Sequence, residues 1–303
     1  MEMVRPKTVA ILSPGDMGHS VGAVLRGGGL RVVTCLAGRS DRTRALAAAA
    51  GIEDLPDLEA LVSESDVVLS IVAPAAAEGL AEGLAAALRA TGASPLVADC
   101  NAIAPQTVRR LGARIGAAGG RFVDVGIIGN PPRPGAAGPR FYASGPEADR
   151  LVELNAHGLD VRALEGEVGR ASALKMCYAA LTKGLTALAT ELLVAGRAMG
   201  LETPLRAELQ FSQDALLQWM ARMLPTMPPK ARRWVGEMEE IAATFEALGM
   251  TPRILRGAAD LYRWVAVTRL GGEVPEARTA GRTLEEVTAA LAAELNGPAP
   301  APG

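Results

Sequence analysis

The chain has 303 residues, 49% hydrophobic and 21% charged, with 31 basic side chains against 33 acidic ones. That length favours two domains over one, and so large an apolar fraction excludes wholesale disorder. A net charge of −2 argues against nucleic acid as the main partner.

Thr8–Leu12 reads as a first strand, followed by a glycine-containing turn and a helix through about Arg26. Leu30–Leu36 is a second strand, Arg42–Ala50 an alanine-rich helix, and Asp57–Ser63 a short helix. Asp66–Val72 is a strand ended by Ala73 and Pro74. A helix over 75–90, a strand over Leu96–Asp99 and a helix over 105–118 follow, the last with proline in its first turn. Phe122–Val125 and Arg140–Ala143 are further strands, separated by a PPRPGAAGP loop. Strands alternating with helices predict a Rossmann-like, doubly wound α/β sheet. After about residue 166 the β pattern ends, and 171–199, 204–223, 229–248 and 252–270 read as long helices. The expected organisation is a dinucleotide-binding domain over 1–166, an all-helical substrate and dimerisation domain over 167–295, and a disordered tail over 296–303.

The cysteines Cys35, Cys100 and Cys177 form no CxxC pair, and the only histidines are His19 and His157, so no metal site is expected. Free thiols and the lack of a signal-peptide pattern suit the cytoplasm. The most apolar stretch, Met176 to Ala195, contains Lys183 and Glu191 and reads as a buried helix rather than a membrane span.

The first strand runs into Ser13-Pro14-Gly15-Asp16-Met17-Gly18, a dinucleotide fingerprint with serine in the first glycine position. Gly15 would admit the pyrophosphate, and Gly18 would let the helix pack close to the strand. The second strand ends in Ala37-Gly38-Arg39-Ser40-Asp41, with no carboxylate at its tip. Arg39 and Ser40 suit a 2′-phosphate, which predicts NADP, with Asp41 capping the next helix. The alternative reading of Arg39 is a solvated loop charge. Lys175 shares a helix face with Tyr178, Ala179 and Thr182. Burial would lower its proton affinity and suit it to exchange protons near neutral pH. The competing reading is a lysine snorkelling from the helix edge.

Together these segments resemble the β-hydroxyacid dehydrogenase superfamily, which includes 3-hydroxyisobutyrate dehydrogenase and 6-phosphogluconate dehydrogenase. Ser13–Gly18 resembles its GxGxMG loop, Asp99–Pro105 (DCNAIAP) its D-x-S-T-x-x-P motif, and Gly169–Lys175 its GxGxxxK motif. ASALKMCYAALTKG and WVGEMEEIA look closest to a branch with its own helical C-terminal domain. The resemblance implies that Lys175 is catalytic; Tyr178, on the same helix face, reads either as a second proton donor or as a buried structural tyrosine. It implies cofactor contacts from the loop residues Ser13, Gly15, Asp16, Met17 and Gly18, from Arg39 and Ser40, and from Ala73, Pro74 and Asn101. Substrate contacts would come from Asn101, Gly126, Ile128, Gly129, Thr182, Lys183 and Glu237, and the helical domain implies a homodimer.

Three departures from the family pattern bear on the substrate. Ile128 stands where a serine would meet the substrate carboxylate, and Ala179 where an asparagine would meet its hydroxyl. Glu237 falls where a later helix carries a lysine, which favours a neutral or cationic substrate unless Glu237 is a solvated helix charge. Thr182 stands where 6-phosphogluconate dehydrogenase has a glutamate, which argues against decarboxylation of a phosphosugar. The leading expectation is an NADP-dependent reductase of a small carbonyl compound. The alternatives are an imine reductase and a non-catalytic NADPH-binding module.

Overall fold

The computed structural model describes residues 6–133, 135–274 and 278–295. The expected disordered tail, 296–303, lies outside the described residues. The chain divides into two compact units, 1–176 and 177–303. The boundary expected after residue 166 falls earlier, ahead of the helix within which the units divide.

The first unit is built on a sheet of eight strands: β1 (Thr8–Leu12), β2 (Arg31–Thr34), β3 (Glu53–Asp54), β4 (Val67–Ser70), β5 (Leu96–Asp99), β6 (Arg121–Ile128), β7 (Arg140–Ser144) and β8 (Asp160–Leu164). Their order across the sheet is β3-β2-β1-β4-β5-β6-β7-β8. Every adjacent pair is parallel except β6 and β7. This is the doubly wound Rossmann-like architecture, and the order reverses direction between β1 and β4. Ligands of such sheets bind outside the carboxyl ends of the strands at that reversal.

The helices are α1 (Asp16–Gly27), α2 (Asp41–Ala49), α3 (Leu58–Glu64), α4 (Pro74–Thr91), α5 (Pro105–Ala117), α6 (Ala148–Leu151) and the start of α7 (Arg170–Ala198). Alternate strand residues face opposite sides, so the sheet has two cores. Val9 and Ile11 pack with Val21 and Leu25 of α1 on one face. Ala10 and Leu12 pack with Leu84 and Leu88 of α4 on the other.

Several elements differ from expectation. β6 continues to Ile128 rather than ending at Val125, because β7 supplies it with antiparallel partners from Asp124 onward. The short strand β3 was not anticipated; its two residues are both exposed and carry no apolar signal. His157 ends a 3-10 helix, Val152–His157, that precedes β8.

The second unit continues α7 and adds α8 (Glu202–Ser212), α9 (Asp214–Met223), α10 (Ala231–Glu246), α11 (Arg253–Val267) and α12 (Leu284–Glu294). The helix expected over 204–223 is two helices, because Gln213 leaves the helical region at φ −141° and ψ 38°. Helix α12 was also not anticipated, although Thr283 and Glu286 stand at capping-box spacing. The Thr283 hydroxyl accepts from the Glu286 N–H at 3.1 Å, and the Glu286 carboxylate accepts from the Arg282 N–H at 2.7 Å.

Helix α7 is long and apolar enough to cross a membrane. A core helix satisfies the same length criterion, and α7 buries Met176, Ala187, Ala189 and Val194. The sequence read the stretch from Met176 to Ala195 as a buried helix, and in the single chain its burial is partial. Leu174, Tyr178, Leu181 and Leu188 instead form an exposed stripe along it in the single chain.

Candidate active site at the carboxyl edge of the sheet

The turn after β1 is tight. Ser13 adopts a left-handed φ of +62°, a conformation that favours glycine. The Gly15 N–H donates to the Ser13 carbonyl at 2.7 Å. Gly15 is the N-cap of α1, and no side chain caps the helix there. A Cβ at Gly15 would find its nearest neighbour 4.0 Å away, so the backbone is open to an approaching group. A Cβ at Gly18 would lie 2.9 Å from the Ser13 carbonyl oxygen and 3.2 Å from Ile11, so glycine is what brings α1 against β1. An uncapped helix start beside an open glycine is a fitting cradle for a dinucleotide pyrophosphate. Met17 packs against the core beneath the turn. His19 donates from Nδ1 to the Gly15 carbonyl at 2.6 Å, which holds the turn closed.

The end of β2 differs in one respect from expectation. Ser40, not Asp41, is the N-cap of α2, its hydroxyl accepting from the Thr43 N–H at 3.3 Å. The reason is register: α2 begins at Asp41, which places Ser40 in the extended conformation a cap requires. Arg42 is paired with Asp16, and Arg44 donates to the Leu36 carbonyl at 2.7 Å. Among the described residues the Arg39 guanidinium has no ion pair or side-chain hydrogen bond, and it stands just after the left-handed Gly38, φ +69°.

At the ends of β4 and β5, Ala73 caps α4, with Pro74 in its first turn. Asn101 is almost fully buried, and its side chain is committed to the protein. Its amide donates to the Ser70 hydroxyl at 3.0 Å and to Asp99 at 2.9 Å, and its oxygen accepts from the Val72 N–H at 2.7 Å. What Asn101 presents outward is its main-chain carbonyl. Lys175 donates from Nζ to this carbonyl at 3.2 Å and to that of Cys100 at 3.4 Å. Lys175 is therefore half-buried and anchored at the sheet edge rather than snorkelling into solvent.

Two features of β6 hold Lys175 in place. Asp124, fully buried, takes the start of α7. Its carboxylate accepts from the N–H of Gly169 at 2.9 Å, the N–H of Ser172 at 3.0 Å, the Ser172 hydroxyl at 2.6 Å and the Ser144 hydroxyl at 3.0 Å. The Ser144 hydroxyl in turn accepts from the Ala171 N–H at 2.9 Å. A negative charge on orphan N–H groups at a helix start is doubly favourable. Two residues on, a Cβ at Gly126 would lie 2.6 Å from the Ala171 carbonyl oxygen and 3.1 Å from the Lys175 Cβ. Gly126 thus lets α7 rest directly on the strand. Ile128 is buried opposite Arg140, and Gly129, at φ +132°, abuts Pro139.

The turn after β1, the start of α4, Asn101 and Lys175 therefore lie at the carboxyl ends of neighbouring strands β1, β4 and β5. The other expected site residues belong to the second unit. Tyr178 is half exposed rather than a buried structural tyrosine. Thr182 donates its hydroxyl to the Tyr178 carbonyl at 3.3 Å. Glu237 is not a solvated helix charge: it is buried, 2.6 Å from Lys183 Nζ and 3.1 Å from Arg233. Lys183 also lies 5.6 Å from the Trp234 ring centroid, and its carbonyl accepts from the Tyr262 hydroxyl at 2.5 Å. Trp234 meets Tyr262 edge-on at 5.3 Å between centroids. Burial, with the nearby Glu237 charge, pushes the Tyr262 phenol far above its ordinary range. Lys183 and Arg233 thus place two cations on the one Glu237 carboxylate.

Asp99 entered only as the first residue of the motif over 99–105, and no role was expected of Asp124, Ser144 or Ser172. The available signal was a carboxylate in an otherwise apolar strand, which buried chains retain only with partners.

A glycine-lined turn opening the first helix of a parallel sheet is the arrangement of a dinucleotide-binding domain, and a lysine is anchored at the same edge of that sheet. Residues 8–151 match the NAD binding domain of 6-phosphogluconate dehydrogenase, and residues 197–265 match a domain of unknown function, DUF1932. The chain belongs to the 6-phosphogluconate dehydrogenase-like superfamily, in the branch with this helical C-terminal domain.

An uncharacterized 28.5 kDa protein of Methanothermus fervidus is 30% identical over 172 residues, 57% of this chain, and the match spans 64% of that protein's length. The solved structure of conserved protein MTH1747, of unknown function and described as similar to 3-hydroxyacid dehydrogenases, is 31% identical. The alignment covers 86% of this chain and 96% of that one, with a TM-score of 0.63. Mycobacterium tuberculosis 3-hydroxyisobutyrate dehydrogenase, solved with L-serine, shares the fold at 21% identity and a TM-score of 0.65, over 86% of this chain and 94% of its own.

Proposed function

We propose that the protein is a cytoplasmic NADP-dependent reductase of a small carbonyl compound, with Lys175 as the proton donor. The observation that carries this reading is the anchoring of the Lys175 ammonium on the carbonyls of Cys100 and Asn101, at the strand ends beside the open turn after β1. Ser13, Gly15, Asp16, Met17 and Gly18 would hold the pyrophosphate, and Arg39 and Ser40 the 2′-phosphate. Ala73, Pro74 and the Asn101 backbone would line the nicotinamide side. Bound there, NADPH supplies the hydride. Lys175 gives its proton to the carbonyl oxygen as it becomes a hydroxyl, and takes it back in the oxidative direction. Tyr178, half exposed on the same helix, is a second candidate donor.

The Ile128 and Ala179 side chains offer no hydrogen bond to a substrate acid or hydroxyl. These features favour a neutral carbonyl substrate. They also keep a cyclic imine as the second reading.

Fluorescence titration with NADPH and NADH, repeated on Arg39→Ala, tests the cofactor assignment. NADPH is expected to bind more tightly, and the substitution to weaken NADPH alone by about 10-fold or more, the loss of a charge-assisted phosphate contact. Equal binding of both cofactors would remove Arg39 from the site. Binding of neither would overturn the nicotinamide-dependent reading. Turnover with a panel of neutral aldehydes and ketones supports the carbonyl reading, and turnover on cyclic imines alone would replace it.

A homodimer is part of the same reading. Leu181, Leu188 and Phe211 are 64%, 57% and 89% exposed in the single chain, large apolar side chains that a second copy would cover. Light scattering is expected to give twice the 31.3 kDa chain mass, and the mass of one chain would refute it.

A further inference from the structure

Asp99 and Asp124 are paired in register on the adjacent parallel strands β5 and β6, and both are buried. They are partnered very differently. Asp124 takes four donors, two of them main-chain N–H groups at the start of α7. Asp99 takes two bonds, both from Asn101: from its N–H at 3.1 Å and from its side-chain amide at 2.9 Å. The mechanism proposed above gives Asp99 no part. Yet Asn101 is the residue whose carbonyl receives Lys175 Nζ at 3.2 Å.

We propose that Asp99 is a positioning residue for Lys175: through Asn101 it holds the carbonyls that carry the lysine ammonium, and its protonation loosens that hold. The inference rests on the reading of Lys175 as proton donor, but its geometry is independent of any substrate. Asn101 is gripped at four points: the Val72 N–H, the Ser70 hydroxyl and both oxygens of Asp99. An ionised Asp99 accepts at both oxygens. A protonated one has a hydroxyl at one of them, which accepts poorly, so one of its two bonds to Asn101 weakens.

The charged and titratable groups facing Asp99 are Asp124 from β6, Lys175 from α7 and the adjoining Cys100 thiol. Burial comes first, and the Asp124 charge adds to it; together they push Asp99 up to about 7, against the bonds from Asn101 and the pull of Lys175. The carboxyl therefore changes charge in the range where a reductase works. Above that range its negative charge favours the lysine ammonium, and below it that support is withdrawn. The two titrations belong to a coupled pair.

The chain contains four lysines, Lys7, Lys175, Lys183 and Lys230, so each can be resolved. The measurement is a pH titration of the free protein labelled with carbon-13 at the lysine ε position, the Lys175 signal being identified by its loss in Lys175→Met. The wild-type signal is expected to show a step near neutral pH in addition to its own ionisation. In Asp99→Asn the neutral step disappears and the lysine midpoint falls, because a nearby negative charge is removed. In Asn101→Ala, with Asp99 intact, the neutral step shrinks.

Absence of the neutral step in the wild-type protein overturns the proposal without any variant, which covers the case in which Asp99→Asn fails to fold. Persistence of the step in Asp99→Asn assigns it to another group and also overturns it. A step of undiminished size in Asn101→Ala overturns the route through Asn101. Failure of the underlying reading is distinct: Lys175→Met would then keep its turnover, while the neutral step of Lys175 in the wild-type protein would remain.

Discussion

Replacing Lys175 with methionine is expected to lower turnover by about 10²- to 10⁴-fold, the usual contribution of one positioned proton donor. Binding of NADPH, measured by fluorescence titration, should be unchanged within about twofold. The separation follows from where the lysine is anchored. Its Nζ rests on the carbonyls of Cys100 and Asn101 after β5, whereas the turn that would cradle the pyrophosphate follows β1. Methionine has a similar length and is apolar, so the start of α7 keeps its packing on Gly126 while the proton is lost. If the variant turned over substrate at the wild-type rate, Lys175 would be a structural anchor only. Tyr178 would then be the group to remove next.

Asp124→Ala is expected to destabilise the first unit by about 3 kcal/mol, the consequence of stranding buried donors that lose their acceptor. Four bonds are lost together: from the main chain at Gly169 and Ser172 and from the hydroxyls of Ser172 and Ser144. The individual losses do not add, because the donors belong to one network and can partly relax toward each other. For a unit of this size, 1–176, the midpoint of its thermal unfolding should fall by roughly 6–12 °C. The same substitution frees the start of α7, so turnover should fall further than stability alone explains at temperatures where the protein is folded. A midpoint within about 1 °C of wild type would show that water satisfies these donors and that the carboxylate is not what fixes the helix.

The two experiments separate donating a proton from holding the donor in place. They also show which parts of the site could be read without coordinates. The turn after β1 was legible because local rules govern it: a strand, a Ser-Pro-Gly turn and Gly18 lie within one stretch, and close helix packing demands glycine at the last position. Lys175 was legible as a polar residue in an apolar helix. The expected capping role of Asp41 was misplaced by one residue, since the cap depends on where α2 begins, and Ser40 takes it. The continuous helix expected over 204–223 failed at Gln213, where no proline or glycine marks the break.

Chain order, alternating strands and helices, the phosphate turn and the lysine-bearing helix all follow from patterns within about ten to thirty residues, the range over which periodicity and turn chemistry act. The sequence order of Asp99, Asp124, Ser144, Gly169 and Ser172 carries no such pattern. They meet only because β5, β6 and β7 are neighbours in the sheet and α7 starts against them. Glu237 likewise could be read from its helix position as a solvated charge or a substrate contact. Its burial against Lys183 and Arg233, 54 and 4 residues away in the chain, removes the first of these readings. A buried charge is settled by what surrounds it in space, because its desolvation must be met by specific donors, and those donors come from distant parts of the chain.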